Sequence, residues 1–316
     1  MKRIIVLFLP LIAITALLSF NSRQDPPAKA AIRTLVIDAG HGGFDPGARG
    51  SFSTEAQVSL EVALKFGKAL EKEFPDMKIV YTRTKDVAPG NKTTKAEDNR
   101  HRADMANKAG GDLFIASHCN SAPPVKHKTR TGTKTQTYYT GKGKNRKKAT
   151  RKVPVYRYWT TPNPARGTET YIWAVAKNDA KVSAVNLNEE FYGEMTDSTS
   201  QMVLPDPSDP AEKARMLIYA QQFFKKSLNL ADLIEKEFVA SGRLSRGVKQ
   251  RNHTGIWVLQ ATGMPSVLVE LGFLTNEEEE KYLNSEKGQQ ETVDALMAAF
   301  RSYKQKLESR QTNAAN

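Results

Sequence analysis

The sequence predicts an α/β fold, a three-layer, mostly parallel twisted sheet with helices on both faces. Three observations carry this. The short apolar runs Thr34–Asp38, Leu113–Ser117 and Ser266–Val269 have the length of strands buried on both faces. Helix-period segments alternate with them, and a βαβα rhythm implies parallel strands joined by right-handed crossovers. The 316 residues, 39% of them apolar, suffice for a single large core.

Taken in order, residues 1–22 read as a signal peptide or anchor. Lys2 and Arg3 precede an uncharged apolar run from Ile4 to Phe20. Seventeen residues is the lower limit for a spanning helix, so an uncleaved anchor is the alternative to a cleaved signal. A polar, Pro-containing linker follows over 23–32, then a catalytic domain over 33–307. Its first strand is Thr34–Asp38. Leu60, Ala63, Leu64 and Gly67 set a helical period over 55–74, capped by Ser53 or Thr54. Met77–Thr82 reads as the second strand, Asn99–Lys108 as a helix stopped by Gly110-Gly111, and Asp112–Ser117 as the third strand. After an insertion at 121–166, Thr168–Ala176 resumes as a strand. A second, polar insertion occupies 177–210 and ends in Pro205-Asp-Pro-Ser-Asp-Pro210. Ala211–Phe238 is a long amphipathic helix. Trp257–Gln260 and Ser266–Glu270 read as two strands, Asn276–Leu307 as two closing helices, and 308–316 as a flexible tail.

The net charge of +13 is concentrated. Between Ser121 and Arg157 stand twelve Lys or Arg residues and no acid, so this segment supplies nearly the whole excess. With few aliphatics it reads as an exposed, mobile insertion. For an exported chain an anionic envelope polymer or a membrane surface suits it, and nucleic acid is not expected. A solvated loop without a fixed partner is the plainer alternative.

In an open α/β sheet the strand ends converge on one crevice. His41 follows the first strand in Gly40-His-Gly-Gly43, His118 closes the third, and Glu270 ends the strand from Ser266. Two imidazoles and a carboxylate at one sheet edge suggest a metal hydrolase, in which three protein ligands leave a position open for water. Glu55 begins the first helix near the same edge, although an acid there also suits the helix dipole. Glu270 ends an apolar strand, where a charge is costly unless it is paired or used. Arg83 or Arg102 is its structural alternative partner. Cys119, the only cysteine, precludes an intrachain disulfide and reads as a small half-buried filler rather than a thiolate ligand. His101, His127 and His253 sit in polar, basic surroundings and are not expected to be ligands.

Val36-Ile-Asp-Ala-Gly-His-Gly-Gly43, Phe114-Ile-Ala-Ser-His-Cys-Asn-Ser121 and Val267-Leu-Val-Glu-Leu-Gly-Phe-Leu-Thr-Asn276 together resemble the three signature blocks of zinc-dependent N-acetylmuramoyl-L-alanine amidases (amidase type 3, cell-wall hydrolases). Thr82-Arg-Thr-Lys-Asp86, Arg102-Ala-Asp-Met-Ala-Asn107 and Gly167-Thr-Glu-Thr-Tyr171 fit as supporting blocks. The resemblance covers Thr34–Ser121 and Gly167–Tyr303. It implies a phosphorylase/hydrolase-like fold, one zinc ion per chain held by His41, Glu55 and His118, and Glu270 as catalytic acid/base. The implied substrate is peptidoglycan, cut between N-acetylmuramic acid and the stem peptide's L-alanine during wall remodelling or daughter-cell separation. The implied location is periplasmic, with the cell surface or secretion as alternatives. Relatives that split dividing cells carry a helix over the zinc until a partner removes it. Residues 177–210 would then be a lid, with Glu189 or Glu190 reaching the metal and an activator protein displacing it. Two other readings remain: a wall-binding regulatory protein without turnover, and a zinc hydrolase of another envelope amide. Fold alone does not separate them.

Overall fold

Every residue of Thr34–Ala39 (β1) is buried, as a central strand with helices on both sides requires. The computed structural model describes residues 30–174, 181, 184 and 210–315. The chain divides into two units, Ile32–Tyr303 and Met1–Ala31 with Lys304–Asn316, and every strand belongs to the first of them. After β1 come Glu55–Glu73 (α1), Lys78–Tyr81 (β2), Lys95–Lys108 (α2), Leu113–Asn120 (β3), Val125–Thr140 (β4), Lys147–Thr161 (β5) and Thr168–Ile172 (β6). Pro210–Ala240 (α3), Ser245–Gln250 (β7), Trp257–Ala261 (α4), Ser266–Phe273 (β8), Glu277–Leu283 (α5) and Glu286–Ala315 (α6) complete the order.

Six strands form the main sheet in the order β2-β1-β3-β8-β6-β7. Four of its five neighbouring pairs are parallel, and only β6 with β8 is antiparallel. The expected mostly parallel α/β sheet is therefore what the chain forms. Alternate residues face opposite sides. Val36, Phe114, Ala116 and Leu268 pack with Ala106 of α2, Met216, Ala220 and Phe223 of α3, and Val258 and Leu259 of α4. Leu35, Ile37 and Ile115 point the other way and are equally buried, with α1 lying against β1, β2 and β3. Register places Ser117 of β3 beside Ala39, and His118 beside Glu270 of β8, so the chemical side chains gather where these strands end.

Several elements differ from the sequence reading. Residues 257–261 are a helix, not a strand. A short apolar run does not reveal its own period, and here the Asn107 side chain fixes the turn beyond it by donating to Ala261 O at 2.9 Å and accepting from Gly263 N at 2.7 Å. β7 was not foreseen, because its polar sequence serves an edge strand that pairs only with β6. α2 starts four residues early, since Thr94 caps it through Glu97 N. The closing helix runs on to Ala315, where a flexible tail was expected. The basic insertion also has more regular structure than its composition suggested. It is exposed, but it is an antiparallel ribbon paired from Val125↔Thr161 to Thr140↔Lys147. Thr at every second position from Thr129 to Thr137, with Val153, Val155 and Tyr156 on the return strand, is the β-favouring pattern that the charge masked. The leader at 1–22, most of the linker, and the lid residues Glu189 and Glu190 lie outside the described residues.

Candidate metal centre

Glycine makes the first part of this site. A Cβ on Gly40 would lie 2.3 Å from the His118 ring, so only a bare backbone lets that imidazole cross the end of β1. A Cβ on Gly47 would lie 2.5 Å from Glu55 Oε2, at a backbone φ of +67°. His41 itself adopts φ 60°, a left-handed conformation uncommon for a side-chain-bearing residue. Two buried arginines hold it there. Arg83 donates from Nε to Ala39 O and from Nη2 to Gly40 O, both at 2.8 Å. Arg102 donates from Nη1 to Ala39 O at 2.6 Å and from Nη2 to His41 O at 2.5 Å. Arg102 is paired in turn with Asp38 at 2.7 Å and Asp98 at 2.9 Å.

Glu55 enters from the first turn of α1, where Thr54 is the N-cap. The preceding loop is pinned by the buried Glu280 of α5, which accepts from the backbone N–H groups of Ser51, Phe52 and Ser53. Glu55 Oε2 accepts from Ala48 N at 2.8 Å. Its Oε1 lies 2.8 Å from His118 Nδ1 and 3.1 Å from His41 Nε2. Burial would raise this carboxyl, but His118 and His41 outweigh burial and hold it well below the usual range. On His41, burial acts to lower and the Glu55 and Asp45 carboxylates to raise, with a net shift upward. One ligand atom from each of His41, Glu55 and His118 falls within 4.8 Å of the others. Two imidazoles and an ionised carboxylate so placed form a donor set suited to zinc, and Asp45 Oδ2, 2.8 Å from His41 Nδ1, is the outer partner that such a ligand usually has.

Glu270 stands beside His118 across the β3–β8 register, outside the ligand cluster. Its Oε2 is buried without a hydrogen bond. Burial and then the Glu55 carboxylate push its pKa up to about 8, with Arg251 pulling the other way. Arg83 and Arg102 are engaged at the His41 loop and do not pair with Glu270; among the described residues its ion-pair partner is Arg251, whose Nη2 lies 3.7 Å from Oε1. Cys119 is a buried free thiol, pushed well up by burial, whose backbone N–H donates to Glu55 Oε1 at 3.1 Å. It behaves as packing, as expected. His127 lies on the ribbon, stacked on Trp159, and His101 and His253 do not join the cluster.

A cavity of about 350 Å³ opens over these residues, lined by His41, Glu55, His118 and Glu270 and walled by Arg251 and Trp257. Sequence reasoning missed Asp45, whose signal was its place four residues after a candidate ligand. It also missed Arg251 and Trp257, which no local pattern marks.

The family model Amidase_3, described as N-acetylmuramoyl-L-alanine amidase, matches residues 35–302. The chain belongs to this amidase family. Among its amidase relatives, AmiC of Escherichia coli O6:H1 is 25% identical over 293 residues, covering 89% of this chain and 57% of AmiC. A probable amidase, AmiB of Haemophilus influenzae, is 27% identical over 262 residues, covering 81% of this chain and 49% of AmiB. The chain thus spans about half the length of these curated relatives. An N-acetylmuramoyl-L-alanine amidase from Clostridium difficile 630 shares the fold, with a TM-score of 0.51 at 22% identity, covering 85% of this chain and 95% of that one. The amidase-family match contains His41, Glu55, His118 and Glu270 within its span.

Proposed function

We propose that this chain is a zinc-dependent peptidoglycan hydrolase that cuts the amide between N-acetylmuramic acid and the L-alanine of the stem peptide. The observation that carries the reading is the grouping of His41, Glu55 and His118 within 4.8 Å, beside a buried Glu270 whose Oε2 has no partner. His41, Glu55 and His118 would hold the ion. When bound, zinc supplies Lewis acidity toward the scissile carbonyl and the attacking water. Glu270 takes the water's proton at its Oε2, which no other group among the described residues engages, and delivers it to the departing amine nitrogen. Asp45 keeps the His41 ring in one orientation and tautomer. Arg251 and Trp257 at the cavity wall offer a cation and an apolar face to the stem peptide.

The reading includes export, on the strength of the basic start and the apolar run to Phe20. It includes an activator protein as well, supported by the CwlD amidase of Clostridioides difficile, solved in complex with the GerS lipoprotein, with a TM-score of 0.51 at 20% identity. Digestion of purified peptidoglycan with mass spectrometry of the products tests the activity. The expected result is release of intact stem peptides beginning in L-alanine, abolished by chelator and restored by zinc. Release of fragments cut elsewhere, or indifference to chelator, would overturn the reading.

A further inference from the structure

The β4–β5 ribbon contributes no residue to the cavity, yet its composition is the most unusual in the chain. It is tied to the body at its base, where Ala122 N donates to Thr275 Oγ1 at 2.9 Å, and its two legs are joined there by Asn163 Nδ2 donating to Pro123 O at 2.9 Å. Beyond that base it is a two-stranded sheet of its own. The pleat sorts its side chains. Lys126, Lys128 and Arg130 alternate along β4 and so share one face, about 7 Å apart. Directly opposite them on β5 stand Thr160, Tyr158 and Tyr156. Past the bulge between Arg130 and Gly132 the same face continues with Lys152 and Lys148. Every one of these side chains is exposed, whereas the half-buried residues of the ribbon, His127, Ala149, Val153 and Val155, lie on the other face. Lys128 Nζ sits 5.6 Å from the centre of the Tyr156 ring, and Tyr158 is 71% exposed.

We propose that this face binds an acidic polysaccharide, a chain of sugar rings bearing carboxylates at regular intervals. The proposal rests on the amidase reading for one point only, that the protein works outside the cytoplasm. Charge complementarity selects a polyanion, since five cations lie on the face and no acid lies anywhere on the ribbon. Their regular spacing along an extended strand suits a linear polymer rather than a compact ion. The tyrosines select sugar: a phenol ring presents a flat apolar face to the C–H groups of a pyranose and a hydroxyl to its rim. A membrane surface fits less well, because the face opposite these cations is itself charged, with Lys134, Lys147, Arg151 and Arg157 around the exposed Trp159, and offers no apolar side to a lipid boundary. The ribbon would thus hold the enzyme on envelope polymer while the cavity acts on the wall.

Binding of the full chain to polygalacturonate tests this, measured by co-sedimentation against neutral dextran, phosphatidylcholine–phosphatidylglycerol vesicles and a single-stranded oligonucleotide at the same ionic strength. The proposal expects tighter binding to polygalacturonate than to the other three. K126E/K128E/R130E should weaken it by about tenfold or more. Y156S/Y158S, which leaves every charge in place, should weaken it roughly fivefold without changing elution from a plain cation exchanger. Equal or tighter binding to vesicles or oligonucleotide would overturn the proposal, as would full binding by the tyrosine variant. Hydrolysis of a soluble muropeptide, measured alongside, separates the two readings. Its absence in every variant with binding intact would sink the activity and leave the ribbon's role standing.

Discussion

Asp45 Oδ2 meets His41 Nδ1 at 2.8 Å, leaving Nε2 to face Glu55. This fixes which nitrogen is available to a metal. D45N should therefore leave the fold intact and weaken zinc binding by about 10- to 100-fold. Competition against a chelator of known affinity would measure this, and unchanged affinity would remove Asp45 from the site.

The proposed ligand and proton-carrier roles separate by mutation. H41A and H118A should purify with little zinc. E270A should keep its zinc and lose at least about 10²-fold in turnover. Elemental analysis beside a muropeptide assay reads both effects. An E270A enzyme with near-normal turnover would require another acid/base.

Gly40 tolerates no side chain. The Cβ in G40A would drive into the His118 ring at 2.3 Å, and overpacking of this kind costs about 1–3 kcal/mol. The ring can relieve the clash only by leaving its position, so G40A should lose zinc as well as stability. Thermal melts with and without the metal would show both losses, and a variant that melts like the parent would contradict the contact.

Asp38 links the sheet to acid stability. Burial acts to raise its carboxyl, but Arg102 and the Thr82 hydroxyl at 2.5 Å hold it below its ordinary value. A carboxyl lowered on folding takes up its proton first in the unfolded chain. Its contribution is complete above the ordinary carboxylate range near pH ~4 and is lost as pH falls through the folded value. D38N should destabilise by about 3 kcal/mol at pH 7, because it leaves a buried guanidinium less well paired. That difference should shrink on acidification, which urea titrations at several pH values would show.

Lys181 is a fully buried amine with no carboxylate partner among the described residues. It donates to Leu259 O at 2.8 Å, Met264 O at 2.7 Å and Ser266 Oγ at 3.0 Å. K181M keeps most of the volume but strands those acceptors, at a cost of about 2–3 kcal/mol. Since Leu259 belongs to α4, which walls the cavity, differential hydrogen exchange should show faster exchange over 257–266. Uniform exchange rates would argue that the amine is dispensable.

The parallel strands and three of the four central side chains, His41, His118 and Glu270, were legible because each closes a run whose period and polarity are local facts. His41 and His118 announce themselves by interrupting apolar sequence. Glu55 did not, since an acid at a helix start has an ordinary electrostatic reason to be there, and only the family blocks singled it out. Arg83 and Arg102, offered only as alternative partners of Glu270, meet backbone carbonyls instead, because sequence shows a cation's presence but not the carbonyls it will meet. β7 and α4 depended on tertiary neighbours, β6 in one case and Asn107 in the other. The ribbon was hidden by its own charge, which suggests disorder more strongly than alternating threonines suggest a strand.

That charge has a further effect on the ribbon itself. A long two-stranded sheet with no third strand among the described residues leaves a row of N–H and C=O groups along each outer edge, an open template for another chain to add to. Twelve cations without a single acid make any second copy approaching those edges strongly unwelcome. The segment can therefore remain a lone extended strand pair at high concentration, resisting aggregation by self-repulsion rather than by cover.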